Sequence, residues 1–233
     1  MNVRSKRDGR PAKPAPAVPA VHAPRRRGRP VVGDKRRRLL DAALKVFAER
    51  GFHGTTVPEV AAAAGVGTGT LYHYFEHKHQ LVNEVYRDAK LRLRSSLLDG
   101  LADPDIDKPG AAERWFSELW RRLAAYAREE PDAFRFLEMQ DHVEYLDIES
   151  RQIEISTLAP LFLVGKRIHD RSGGPRVDVV IALMWGAFVG LVKASRLGYL
   201  QLDDASLEEA GAIVWRLIEP EATRALKPKP KRG

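Results

Sequence analysis

The 233-residue chain contains no cysteine, which excludes disulfides, thiolate metal ligands and cysteine nucleophiles and suits a reducing cytosol. It also lacks a long hydrophobic run. The longest, Val179 to Val192, has 14 residues between Asp178 and Lys193, short of the ~20 a membrane-spanning helix needs. That run predicts a buried helix and no membrane partner. Strand-type alternation is convincing nowhere. No Gly-rich phosphate loop follows a strand, and neither a Ser-His-Asp arrangement nor a catalytic carboxylate pair can be placed. An enzyme reading has no residues to rest on, and no cofactor is expected. The basic start is not followed by an apolar core of secretory-signal length, so a cytoplasmic, nucleoid-associated protein is expected.

What is present is charge, unevenly placed. Residues 1–38 hold 13 Lys or Arg against Asp8 and Asp34, a net of +11 in a chain of +8, leaving −3 for everything after. A basic arm on a mildly acidic body is the pattern of a polyanion-binding appendage, although the same residues also serve as a solubilising leader. Within residues 1–33, Pro11 to Pro24 is rich in Ala and Pro without a periodic apolar face and is expected to be disordered. Pro24-Arg25-Arg26-Arg27-Gly28-Arg29-Pro30 resembles an AT-hook core, in which Arg27 and Arg29 would enter a narrow minor groove. A short basic tail, 223–233, closes the chain.

The most specific signal lies between Thr56 and Phe75. Thr56 and Glu59 stand in capping-box register, and Pro58 fits the first turn, where amides lack intrahelical partners. Val57, Val60, Ala61 and Ala64 recur at helical spacing, and Gly65 can enter the left-handed region that ends the helix before Val66. A second short helix, Thr68 to Tyr74, follows. Leu71 and Phe75 are its inward residues, which leaves Thr68, Gly69, Thr70, Tyr72, His73 and Tyr74 as a small, hydroxyl-rich and aromatic outer surface suited to a DNA groove. This is a helix-turn-helix pattern.

The stretch from Lys35 to Tyr86 resembles the DNA-binding domain of TetR-family transcriptional regulators. The residues that carry the likeness are Leu40 to Phe52, Thr55-Thr56-Val57, Ala64-Gly65-Val66, Gly69 to Phe75 and Lys78. The resemblance implies that Thr56, Tyr74 and Lys78 hold phosphates, with Thr68, Gly69, Thr70, Tyr72 and His73 nearest the bases. One departure stands out: Gly67 occupies the place where the family usually carries a Ser or Thr cap, at a cost of only a few tenths of a kcal/mol.

Around this motif the pattern is all-α. A first amphipathic helix runs from Lys35 to Arg50, and a linking helix from Gln80 to Leu101. Further helices are expected at 111–130, 132–145, 148–171, 176–197 and 206–219, separated by Pro- and Gly-containing breaks. The expected organisation is a helix-turn-helix domain at 34–80 and a larger helical effector-binding and dimerisation domain at 81–222. In the 176–197 helix, Ala182, Gly186, Gly190 and Ala194 form a small-residue stripe; in the last helix, Leu207, Val214 and Leu217 belong to a seam with bundle spacing. The resemblance implies that these two helices build a four-helix bundle with a second subunit; the bland alternative is an intrachain core.

The resemblance further implies a pocket for a small apolar or aromatic effector, with Trp115, Phe136, Met139, Gln140, His142, Tyr145, Phe162 and Trp185 as candidate lining. Glu138 and His142 share a face at i, i+4, but no second histidine is near and no metal is expected. The resulting expectation is a dimeric, ligand-responsive repressor on a palindromic operator. The other reading is an AT-preferring architectural DNA-binding protein in which the arm dominates.

Overall fold

The computed structural model describes residues 32–139, 141–142, 144–172 and 176–218; the AT-hook-like Arg27 and Arg29 and the basic tail lie outside them. Nine α-helices and no strand occur among the described residues: α1 (Val32–Gly54), α2 (Val57–Ala63), α3 (Thr68–Tyr74), α4 (Lys78–Leu98), α5 (Ala111–Glu129), α6 (Pro131–Met139), α7 (Ile148–Ser172), α8 (Val177–Arg196) and α9 (Asp204–Ile218).

Local chemistry sets the ends of the first helices. Gly51 interrupts α1 with φ 69°, a conformation glycine adopts without penalty, and Thr55 then donates its hydroxyl to the Gly51 carbonyl at 2.7 Å. At the end of α2, Gly65 (φ 66°) donates to Ala62 O and Val66 to Ala61 O, both at 3.0 Å, the paired bonds of a Schellman cap. Val57, Val60, Ala61, Leu71 and Phe75 are buried against Leu39, Ala43 and Phe47 of α1 in one apolar cluster. Burial of these side chains from both short helices is what orients α3, because seven residues are too few to hold a helix by backbone bonds alone.

α4 then runs back along α1, tied to it by Arg36–Glu84 at 2.7 Å and Arg37–Asp88 at 2.8 Å. Its apolar side, from Leu81 through Val85, Ala89 and Leu93 to Leu97, joins the same continuous cluster that reaches Val214 and Ile218 of α9. α5 packs on α4 and α9: Tyr126 donates to Ala89 O at 3.3 Å, and the Trp120 indole N–H donates to Leu207 O at 2.8 Å.

α6 ends at Met139, six residues before the expected end at Tyr145. Long-range bonds compete successfully with helix here. The Asn83 side chain of α4 donates to Tyr145 O at 2.8 Å and accepts from the Asp147 amide at 2.9 Å, which pins this segment as a turn leading into α7. The expected buried helix at 179–192 is also corrected. α8 is apolar from Val179 to Val192, yet few of its side chains are buried within the chain. Val177, Met184 and Phe188 face the core, while Val179 and Leu183 point outward.

Candidate nucleic-acid interface and interior cavity

α3 is oriented by what it hides. Leu71 and Phe75 are buried, so the 100° step of the helix turns Gly69, Tyr72 and His73 outward; Tyr72 is 51% exposed. Thr68, Thr70 and Tyr74 are half-buried along the rim of the same surface. A Cβ placed on Gly67 or Gly69 would meet nothing within 4 Å, so the start of α3 stands clear of the rest of the molecule. The missing side chain at Gly67 leaves α3 without a side-chain cap, but Gly67 O still accepts from Thr70 N at 2.9 Å. The six outer residues thus share one open surface that donates hydroxyls, an imidazole edge and backbone amides, with no carboxylate among them.

Thr56 and Lys78 flank this surface in guarded states. The Thr56 amide and hydroxyl both donate to the Glu59 carboxylate, at 2.9 and 2.8 Å, and Arg50 pairs with the same group. These Thr56 bonds, followed by Arg50, hold Glu59 below its ordinary carboxylate range. A phosphate contact from Thr56 Oγ1 therefore requires the hydroxyl to turn from Glu59. The Lys78 ammonium lies 4.2 Å from the centroid of the Phe52 ring, whose neighbour in turn is Tyr145, stacked at 4.4 Å. Partial burial lowers the Lys78 pKa, opposed by Glu59. His77 caps α4, its Nδ1 accepting from Gln80 N at 3.0 Å.

The body holds an apolar cavity of about 80 Å³, partly open to solvent, between α5, α7, α8 and α9. Trp115 lines it. Phe116, Leu161, Gly165, Met184 and Trp215 do so as well, and sequence reasoning did not single them out for a pocket. A signal was available in Gly165, a wall residue without a side chain: a Cβ there would come within 2.7 Å of Val177. α7 and α8 approach closely at that glycine, where Gly165 and Val177 both line the cavity.

The other candidate effector residues are dispersed. Phe136, His142 and Tyr145 are buried with Phe47 and Tyr86 in an aromatic cluster beneath α1 and α4, away from the cavity wall. His142 is saturated there: its Nε2 donates to Phe136 O at 2.7 Å, and its Nδ1 accepts from the Tyr145 hydroxyl at 2.5 Å. Burial lowers its pKa below the usual imidazole value. Phe162 is 44% exposed on the outer side of α7, and Trp185 donates its indole N–H to Glu138. Glu138 and His142 therefore turn to different partners. The Met139 side chain and Gln140 lie outside what is described.

The proposed subunit-contact residues divide as well. Ala182, Gly186 and Gly190 are exposed and Ala194 half-buried; a Cβ at either glycine would meet nothing within 4 Å. Leu183, next to Ala182 on α8, is 56% exposed, and Leu217 of α9 is 68% exposed. Leu207 and Val214 are corrected: both are buried within the chain. The reason is the close fit of α9 on α5, where Gly211 lies against the Trp120 ring and takes up the seam that bundle spacing had suggested for a partner.

Two models of known families match the chain: bacterial regulatory proteins of the tetR family over residues 39–85, and the tetracyclin repressor-like C-terminal domain over residues 98–219. The chain belongs to the TetR family of transcriptional regulators. Among the relatives of this TetR-family chain is the HTH-type transcriptional repressor KstR2 of Mycolicibacterium smegmatis, 31% identical over 150 residues that cover 62% of this chain and 70% of that protein. Other curated relatives match over less of their length: BetI of Escherichia coli is 41% identical over 81 residues, 40% of that regulator. Two solved structures share the fold. A TetR-family regulator from Marinobacter aquaeolei covers 79% of this chain and 95% of its own, with 24% identity and a TM-score of 0.67. FadR of Bacillus subtilis, solved in complex with stearoyl-CoA, covers 79% and 98%, with 17% identity and a TM-score of 0.57.

Proposed function

We propose that this TetR-family regulator is a repressor that binds a palindromic operator as a two-fold dimer and leaves it when an apolar effector enters the interior cavity. The observation that carries the reading is the division of α3: Leu71 and Phe75 anchor it in the core while Tyr72, His73 and the Gly67–Thr70 start stand free. Thr68, Gly69, Thr70, Tyr72 and His73 meet base edges, and Thr56, Tyr74 and Lys78 meet phosphates.

One such head reads too few base pairs for operator specificity, whereas a dimer presents two copies about 34 Å apart, one turn of DNA. The outward stripe Ala182–Gly186–Gly190–Ala194 with Leu183, Ile213 and Leu217 supplies the apolar, closely approachable face for that pairing. Trp115, Phe116, Leu161, Met184 and Trp215 receive the effector. At about 80 Å³ the empty cavity is small, so a ligand must spread its walls, and this displacement of α7 and α8 changes the spacing of the two heads. Effector and operator then weaken each other equally, typically by about 1–3 kcal/mol.

Selection of bound duplexes from a random library, followed by anisotropy titrations, tests the proposal. An inverted repeat is expected, bound by two chains, with Tyr72→Ala or Lys78→Ala weakening it. If binding instead survives these changes and vanishes only on deleting residues 1–33, the arm carries recognition and the architectural reading replaces this one.

A further inference from the structure

One polar cluster interrupts the core behind the cavity. The Lys90 ammonium of α4 is buried, 3.7 Å from Glu138 Oε1 of α6 and 3.9 Å from Glu154 Oε1 of α7. Trp185 of α8 donates to the other Glu138 oxygen, Oε2. Glu138 Oε1 itself is fully buried and has no hydrogen-bond partner. Two carboxylates thus face one ammonium, and Glu138 Oε1 has that ammonium as an ion-pair partner but accepts no hydrogen bond. Such a group is costly unless something fills the vacancy in its bonding, and a donor bearing positive charge fills it best.

The cluster is in line with the cavity. On α7 the cavity residues Leu161, Gly165 and Ile168 continue backwards through Leu158 to Glu154 at alternating steps of three and four, one unbroken face. Glu154 lies about 10 Å from Leu161 along the axis at ~1.5 Å per residue. On α8 the wall residues Ile181 and Met184 lead directly to Trp185. His169 is the one titratable side chain among the wall residues, and beyond the wall the same α7 face carries Glu154 while Trp185, next to Met184, is bonded to Glu138.

We infer that the effector is an elongated amphipathic cation, whose apolar body occupies the α5–α7–α8–α9 cavity and whose ammonium-type head donates to Glu138 and Glu154. This rests on the cavity being the effector site. The head displaces Lys90 from Glu138, and because Lys90 belongs to α4, the helix that begins at Lys78, engagement of the head reaches the DNA-binding end directly.

The test compares octylammonium, octan-1-ol and octanoate, followed by calorimetry and by quenching of tryptophan fluorescence on the full chain. The expected order of affinity is ammonium, then alcohol, then carboxylate. Glu138→Gln keeps the shape and removes the charge; it should weaken octylammonium by about tenfold or more and leave octan-1-ol within about twofold. Should Glu138→Gln lose octan-1-ol as well, through misfolding, the partly exposed Glu154→Gln is held to the same pattern. Equal binding of the three compounds, or strongest binding of octanoate, overturns the cationic head and leaves the cavity intact. If octan-1-ol and both ions all fail to bind, the cavity reading falls first and takes this inference with it.

Discussion

In the 57–74 segment each helix stops where its own turn residues dictate, whereas in the body helix ends and faces are set by side chains arriving from far along the chain. Gly65 and Val66 end α2 by bonds to Ala62 and Ala61. Asn83, by contrast, ends the α6 turn from more than sixty residues away, at Tyr145. The difference divides the molecule into a head whose surface is fixed by local rules and a body whose cavity depends on the fit of four helices. Changes in the head should therefore separate cleanly into stability and recognition, and changes in the body should not.

The largest expected effect tests the inner side of α3. Phe75 is 1% exposed, and Phe75→Ala should cost about 3–5 kcal/mol, read as a large fall in Tm together with loss of DNA binding. Beside the outer surface, at the start of α4, Lys78→Ala gives up only the contact with the Phe52 ring, so it should lower Tm slightly, weaken DNA binding by a similar factor on every sequence and reduce the salt slope by about 0.9. Equal stability losses from the two changes would erase the distinction between the faces of the head.

Two glycines sharpen the contrast within the body. Gly211→Ala brings a Cβ within 2.9 Å of the Trp120 ring and should destabilise by about 1–3 kcal/mol in a chemical denaturation series. Gly186→Ala meets nothing within its own chain and should favour the isolated helix by about 0.5–1 kcal/mol. Sedimentation should nonetheless show a weaker dimer for Gly186→Ala, since the stripe then stands further from its partner. An unchanged association constant would remove α8 from the proposed contact.

The smallest expected effect concerns His142. Its folded pKa lies below 6.5, so the unfolded chain binds the proton first. The stabilisation is complete above pH 6.5 and is lost as pH falls toward the folded value. Tm should decline between pH 7 and 5.5, and less steeply in His142→Gln, which can still donate to Phe136 O and accept from Tyr145. Parallel declines would show that the imidazole is not the group titrating.

The same division explains what could be read from the chain. Thr56, Gly65, Leu71 and Phe75 fix the head through rules that span four residues, so its helices and its outer surface were legible. The helix order of the body was legible too, from its Pro and Gly breaks. The cavity was not, because its wall is drawn from Trp115, Leu161, Met184 and Trp215, about a hundred residues apart in the extreme, and nothing local distinguishes a wall residue from a core residue. Phe136, His142 and Tyr145 illustrate this: their composition suits a pocket, yet they fill the aromatic core under α1. Leu207 and Val214 likewise have the spacing of a subunit seam, and only the Gly211–Trp120 approach shows that the seam is internal.

The most direct test is hydroxyl-radical footprinting of a selected duplex with the full chain, paired with native mass measurement of the complex. Two chains per duplex are expected, with two protected major-groove centres one turn apart, about 34 Å, and with Tyr72→Ala altering the sequence selected at those centres. A single chain per duplex, or a selected sequence indifferent to Tyr72→Ala, would contradict the claim that paired α3 surfaces read the DNA.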